Sequence, residues 1–222
     1  MAIDYRDIFE AALTGLVSGF VVSVPVGPTN ITIINEGAKR GFVHGLMIGL
    51  GSVTMEVIYC AIAFASFSTM FESHTVRATM ELISFVLVLY LGLKYVLAKS
   101  VPTTSHSVEV VEQKFHPHTA YMTGFVRVLG NPSVLLFWIT MSATFLSHGW
   151  VDPNWANKSI CIAGVGVGSA AWFGLLSWAV AIGHRKFSPP TMLRMSQVSG
   201  VCLLVVAVVL GMRLVKLLAV RH

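Results

Sequence analysis

Residues 24–30 read VPVGPTN and lie inside one of the longest apolar stretches of the chain. Pro25, Gly27 and Pro28 fall within four positions. Proline removes a backbone donor and clashes with the preceding turn, so the cluster predicts a broken helix. Asn131-Pro132 repeats the break a hundred residues later, again inside an apolar run. The fold follows from what a chain of this composition gains by breaking two helices there.

The chain has 222 residues, 55% hydrophobic and only 11% charged, with a mean hydropathy of +0.76. A soluble domain carries about a quarter charged residues, so a polytopic membrane protein fits and a soluble enzyme does not. The net charge of +5 reads as loop lysines and arginines set by membrane topology. No basic run interleaved with aromatics suggests a nucleic-acid partner. Cys60, Cys161 and Cys202 each lie in an apolar segment; an odd count without CxxC spacing gives neither a disulfide framework nor a zinc site. The start, MAIDYRDIFE, is acidic, and no A-x-A site follows the first apolar run, so a cleaved signal peptide is not expected.

A bilayer crossing takes about 20 apolar residues. Six segments qualify, at roughly 8–38, 42–67, 76–98, 120–146, 158–183 and 191–218. The first and fourth are overlong and carry proline near their middle. The polar stretch 99–119 reads as a flexible cytoplasmic linker between a first three-helix set (1–98) and a second (120–222). The sets resemble each other: Thr14-Gly15 matches Thr123-Gly124, the GPT break at 27–29 matches NPS at 131–133, and GLGSVTME at 49–56 matches GVGVGSAA at 164–171. Three helices per repeat force the halves into opposite orientations, the inverted-repeat plan of many secondary transporters. With the N-terminus outside, the cytoplasmic connections hold Lys39, Arg40, Lys99, Lys114, Arg185, Lys186 and Arg194, against Arg6, Arg77 and Lys158 outside. That favours N-out, although Lys216 and Arg221 on the C-terminal tail argue the other way.

Several stretches together carry a family resemblance. Pro25 to Asn30 leads into Ala38-Lys39-Arg40-Gly41; Gly51 to Tyr59 holds the acidic Glu56; Tyr90-Leu91-Gly92-Leu93-Lys94 ends the third segment. Gly124-Phe125 leads to Asn131-Pro132 and Phe137-Trp138, and Ser199-Gly200 precedes Gly211. In this order along the whole chain they resemble the lysine-exporter (LysE/RhtB-type) amino-acid translocator family. The resemblance implies a small six-helix exporter of amino acids or related metabolites, driven by an ion gradient. Two positions depart from it: Glu56 stands where the family commonly has aspartate, and Arg127 where an apolar residue is expected.

The residues say what the breaks can do. Asparagine is a strong N-cap and proline suits the first helical position, so Asn131-Pro132 and Gly27-Pro28 each look like the start of a half-helix. Such a start presents backbone N–H groups and about half a positive charge, which suits a substrate carboxylate. The bland alternative is a proline kink without a ligand, whose freed groups neighbouring helices satisfy.

Glu56 has no other charge between His44 and Glu72, and an acid at a helix centre costs about 2.5–3.5 kcal/mol to insert. It can bind a substrate ammonium, carry a coupled proton, or pair with Arg127 for structure alone. Ser52, Glu56 and Tyr59 share a helix face, which Gly45 and Gly49 extend as a close-approach surface. Asn30, Thr32 and Trp138 are further cavity candidates, with Trp138 equally suited to an interfacial anchor. Glu36 beside Lys39 and Arg40 reads as a solvated turn, and Glu81 as vestibule or interface. His106, His116 and His118 offer metal-ligand chemistry, but in a flexible linker they read as a solvated loop, so no metal site is expected. No P-loop and no nucleophilic triad are present, which argues against ATP drive and against an enzyme.

The sequence therefore predicts an all-α polytopic membrane protein of six helices in two inverted repeats. It would be a secondary exporter of a small zwitterionic metabolite, working by alternating access without a cofactor. Gly27, Pro28, Asn30, Glu56, Tyr59, Asn131, Pro132 and Trp138 would bind substrate, and Glu56 or Arg127 would carry a proton or an ion pair. Its partners would be an amino acid, a coupling proton or other ion, and the lipid of a bacterial inner membrane, with a homodimer plausible. An inorganic-cation exporter on the same plan, or a non-transporting membrane assembly or regulatory protein, are the alternatives.

Overall fold

A computed structural model of the chain describes residues 5–24, 27–66, 74–99, 106–183 and 189–219. Pro25, Glu72, Arg185, Lys186 and Arg221 lie outside the described residues, as do the side chains of Glu81, His106 and Cys202. Every described element is an α-helix: α1 (Tyr5–Ser23), α2 (Pro28–Arg40), α3 (Phe42–Ser66), α4 (His74–Val96), α5 (His106–Phe115), α6 (Ala120–Leu129), α7 (Pro132–Ser147), α8 (Trp155–Gly183) and α9 (Pro189–Ala219).

Both expected breaks are present. Pro28 opens α2 after Gly27, whose extended backbone (φ −103°, ψ −171°) ends the α1 run. Gly27 O accepts the first intrahelical bond, from Ile31 N at 3.1 Å. α2 stops where its basic last turn, Lys39 and Arg40, complements the helix dipole. Glu36 pairs with Arg40 at 3.1 Å and Lys39 at 3.5 Å, the solvated turn the sequence suggests. Gly41 then turns the chain at φ +87°, a conformation that favours glycine. In the second half Thr119 caps α6, its hydroxyl accepting from Met122 N at 3.2 Å, and Gly130 ends it.

The described residues carry the expected crossings in part. Among the described residues α3 and α8 are long and apolar enough to cross a bilayer alone. The bent pairs α1–α2, at 71°, and α6–α7, at 69°, add two more if each pair crosses as a unit. Within α4 and α9 the described residues hold the apolar stretches Phe85–Val96 and Ser196–Met212. The linker also departs from expectation: 106–115 folds as α5 and packs on α6.

The helices meet at glycines. A Cβ on Gly15 would strike the backbone carbonyl of Cys161, and one on Gly124 that of Ile48. A Cβ on Gly164 would lie 2.7 Å from Ala12 O and 2.9 Å from Leu16 N; on Gly51 it would strike Tyr121 O and lie 2.9 Å from Phe125 N. α1 against α8 and α6 against α3 thus cross at backbone contact, as small residues allow. The crossings correct the sequence pairing of 49–56 with 164–171 by two residues, since Gly51 rather than Gly49 is the counterpart of Gly164. Positions 12, 15 and 16 map onto 121, 124 and 125 at an offset of 109, and 48 and 51 map onto 161 and 164 at an offset of 113.

Around these crossings the core joins Met55, Tyr59, Phe64, Phe145 and Cys161, with Ile33, Ile48 and Phe173 forming a second cluster. Large apolar side chains cover the outside, among them Val17, Ile62, Val86, Val167, Val201, Val205 and Val208. Soluble monomers rarely expose so much contiguous apolar surface; for a membrane protein it is the lipid face.

Candidate functional site

The two breaks, α3, α4, α8 and α9 enclose a cavity of about 110 Å³, room for several water molecules. α1 and the start of α2 line it with Val22, Ser23, Gly27, Pro28, Thr29 and Asn30. α3 contributes Glu56, the second break contributes Val128, Asn131, Val134 and Phe137, and Leu91, Tyr95, Phe173 and Leu203 complete the wall. The polar atoms gather on the side of the first break.

Glu56 is 6% exposed. Its Oε2 accepts from Ser169 Oγ at 2.6 Å and, more weakly, from Ser23 Oγ at 3.5 Å. Both hydroxyls have a second acceptor in common, Gly19 O, at 3.1 Å from Ser169 and 2.8 Å from Ser23. Each hydroxyl carries a single proton. With Glu56 ionised, the Ser169 proton goes to the carboxylate; with Glu56 protonated, the carboxyl can donate to Ser169 and the serine proton turns to Gly19 O. The cluster is satisfied in both protonation states without moving a heavy atom. At the offset of 113, Glu56 falls on Ser169, so the short bond joins matched positions of the two halves.

Asn30 fastens the first break. Its Nδ2 donates to Ser23 O, the last residue of α1, at 2.9 Å, and its Oδ1 accepts from Trp172 Nε1 at 3.2 Å. Thr32 turns back onto Pro28 O at 2.7 Å, so it braces the helix start rather than the cavity. Asn131 stands at the second break, its carbonyl accepting from Val134 N at 3.1 Å, and Pro132 opens α7.

Of the sequence candidates, Gly27, Pro28, Asn30, Glu56 and Asn131 line the cavity. Two do not. The Tyr59 hydroxyl donates to Leu129 O at 3.1 Å, one turn of α3 away from Glu56, and Trp138 is fully buried with its ring edge-on to Phe137. Both are core side chains beneath the second break. The Tyr59 position also matches Trp172 at the 113 offset, and Trp172 packs edge-on against Phe20 at 5.7 Å between ring centres, as Leu129 matches Phe20 at 109. Glu56 and Arg127 are not paired. Arg127 Nε meets Glu112 Oε1 of α5 at 2.7 Å, because the guanidinium points to the linker side of the break.

Ser23, Ser169 and Trp172 were not singled out from sequence. The signal available was the glycine pattern of α8, which in the register of the structure sets Ser169 opposite Glu56 and Trp172 opposite Tyr59. Among the described residues, no group of three or more His, Cys, Asp or Glu side chains gathers to hold a metal ion.

Comparison with known proteins places this site in context. Residues 20–213 match the family of LysE type translocators. A Bacillus subtilis protein named for amino acid efflux, YcgF, is 24% identical over 206 residues, covering 92% of this chain and 96% of its own. Lysine exporter LysE of Corynebacterium efficiens is 26% identical, covering 94% of this chain and 98% of its own. No solved structure matches significantly.

Proposed function

The chain belongs to the LysE type translocator family, and on that premise we propose that it is a secondary active exporter of an amino acid or similar zwitterion. Translocators of this family are integral multi-pass membrane proteins rather than enzymes. The relatives named for amino acid efflux and lysine export supply the substrate class. The carrying observation is one cavity in which the first turn of α2 faces a buried carboxylate. A helix start favours a carboxylate, and Glu56 favours an ammonium or a proton, so the two ends of an amino acid find complementary chemistry within one site.

The coupling ion in this reading is a proton on Glu56, and the Ser169–Ser23–Gly19 cluster supports it because both protonation states stay hydrogen-bonded. Alternating access moves one three-helix half against the other around the cavity. The equal offsets across the glycine crossings support an inverted-repeat relation between the halves. The protein then sits in a bacterial inner membrane with its N-terminus outside, by the loop charges.

An inorganic-cation exporter is less well supported, since Glu56 is the single carboxylate in the cavity wall among the described residues and a helix start repels cations. The test is efflux from proteoliposomes preloaded with each labelled amino acid under an imposed pH gradient, with Glu56→Gln alongside. Substrate-specific, gradient-dependent flux in the wild type is expected, falling by about 100-fold in the variant if the proton is lost from the cycle. Flux of no amino acid would sink the substrate assignment. Flux that survives in Glu56→Gln with its gradient dependence intact would remove the proton from Glu56.

A further inference from the structure

Arg127 is the charged residue that the family pattern does not explain, and the structure gives it a place between two open spaces. On one side its Nη1 lies 3.4 Å from Pro28 O, and Pro28 lines the central cavity, as does Val128 next in sequence. On the other side its Nε meets Glu112 Oε1 at 2.7 Å. Glu112 borders an open depression on the surface, with Gln113, His116, Pro117 and His118. The Arg127–Glu112 pair thus stands as a partition between a surface depression of the linker and the first break.

The pair is made to be exchanged. The Arg127 side chain is 16% exposed and that of Glu112 is 22%, so each is dry enough for a firm bond and wet enough to be replaced by a dissolved ion. A fully buried pair would leave a stranded charge on opening, at a prohibitive cost. Glu112 holds Arg127 as a close ion pair without a hydrogen bond at Nε, whereas a free carboxylate can meet a guanidinium by charge-assisted hydrogen bonds. Glu112 is also carried by a short helix whose Val110 and Phe115 are exposed, so few apolar contacts oppose its release. A carboxylate taken up by Arg127 would have its next station at hand, because Pro28 belongs to the first turn of α2 and that turn faces the cavity.

We propose that Arg127 is a loading site for the carboxylate of the amino-acid substrate, held shut by Glu112 of α5 until a substrate carboxylate takes the place of the glutamate. This rests on the exporter reading and adds to it a gate on the linker side. Arg127 selects for a free carboxylate, so amines and carboxamides of the same side chain are poor substrates. Glu112 acts as an internal competitor that sets how much substrate is needed to open the path.

The test uses the full chain in proteoliposomes, with L-lysine and L-leucine each compared with its carboxamide. For the transported amino acid, Arg127→Gln raises the KM by about tenfold or more, the loss of one charge-assisted contact. Glu112→Gln lowers it by about threefold, the loss of a competitor. The deciding variant is the charge exchange Glu112→Arg with Arg127→Glu. A strut that only ties α5 to α6 works equally well reversed, so recovery of the wild-type KM would overturn the proposal. A folded exchange variant with the KM of Arg127→Gln supports it.

Hydrogen exchange of residues 106–115 provides a readout independent of flux. Exchange should rise when L-lysine or L-leucine is added to the wild type, not with the carboxamides, and should already be fast in Glu112→Gln. Flux without that rise retains the exporter and rejects the gate. A rise without flux retains the carboxylate site and rejects the exporter.

Discussion

The break between α1 and α2 bends the chain by 71° and that between α6 and α7 by 69°, yet the two are held in different ways. At the second, backbone bonds run from Gly130 N to Val126 O at 2.9 Å, Asn131 N to Val128 O at 3.0 Å and Val134 N to Asn131 O at 3.1 Å, with the Tyr59 hydroxyl of α3 on Leu129 O. At the first, among the described residues, side chains reach in: Asn30 bridges Ser23 O and Trp172 Nε1, and Arg127 and Thr32 both donate to Pro28 O. A break held by partners far away in sequence depends on them, and a ligand in the cavity can compete for those partners. The matched bends make a common scaffold, and the polar first break is where the chemistry sits.

The strongest challenge to the idea of matched halves is steric. Gly15→Val and Gly124→Val each drive a side chain into a backbone carbonyl, of Cys161 and of Ile48, and backbone cannot swing aside as a side chain can. Each should cost about 3 kcal/mol or more, seen as loss of folded, monodisperse protein in detergent. Equal damage supports equivalent crossings. Tolerance of one but not the other would break the correspondence between α1–α8 and α6–α3.

The difference between the breaks predicts a smaller but selective effect. Asn30→Val keeps the volume and removes both amide bonds, stranding Ser23 O and the Trp172 indole N–H. At about 1–3 kcal/mol for an unsatisfied buried group, the variant should lose about 2–3 kcal/mol in thermal melting and transport poorly. A neutral result would mean that the first break does not depend on the Asn30 amide.

Much of this was legible in the sequence, and the limits of that reading have physical causes. Proline and glycine announce breaks because their effects are local, so Gly27-Pro28 and Asn131-Pro132 were placed correctly. Glu56 was legible because a lone acid in an apolar run must find shelter. Its partner was not: Ser169 is 113 residues away, and a hydroxyl in a helix bonds its own preceding turn as readily as a distant carboxylate. A pair between Arg127 and Glu56 was one of three open roles because both are charged and lie in apolar segments. The partner of Arg127 instead lies in the linker, where HSVEVVEQKF looked like polar connection although it alternates well enough to make α5. Tyr59 shares a face with Glu56, but a face three residues long spans both the cavity and the core behind it.

The finest test of the comparison lies around Glu56, where the two halves share one hydrogen-bonded cluster. Ser169 of α8 holds Oε2 at 2.6 Å and Ser23 of α1 at 3.5 Å, so the site is asymmetric in strength although both serines reach Gly19 O. Ser169→Ala removes the short bond to a charged group and should cost about 1.5 kcal/mol. Ser23→Ala leaves that bond intact and should cost about 0.5 kcal/mol, since its main acceptor is the carbonyl one turn back in its own helix. The pH profile of efflux should follow the same order, moving clearly in Ser169→Ala and little in Ser23→Ala. A profile that moves more in Ser23→Ala would place the working proton on the α1 side of the carboxylate, and the first break alone, rather than the contact between halves, would then carry the coupling.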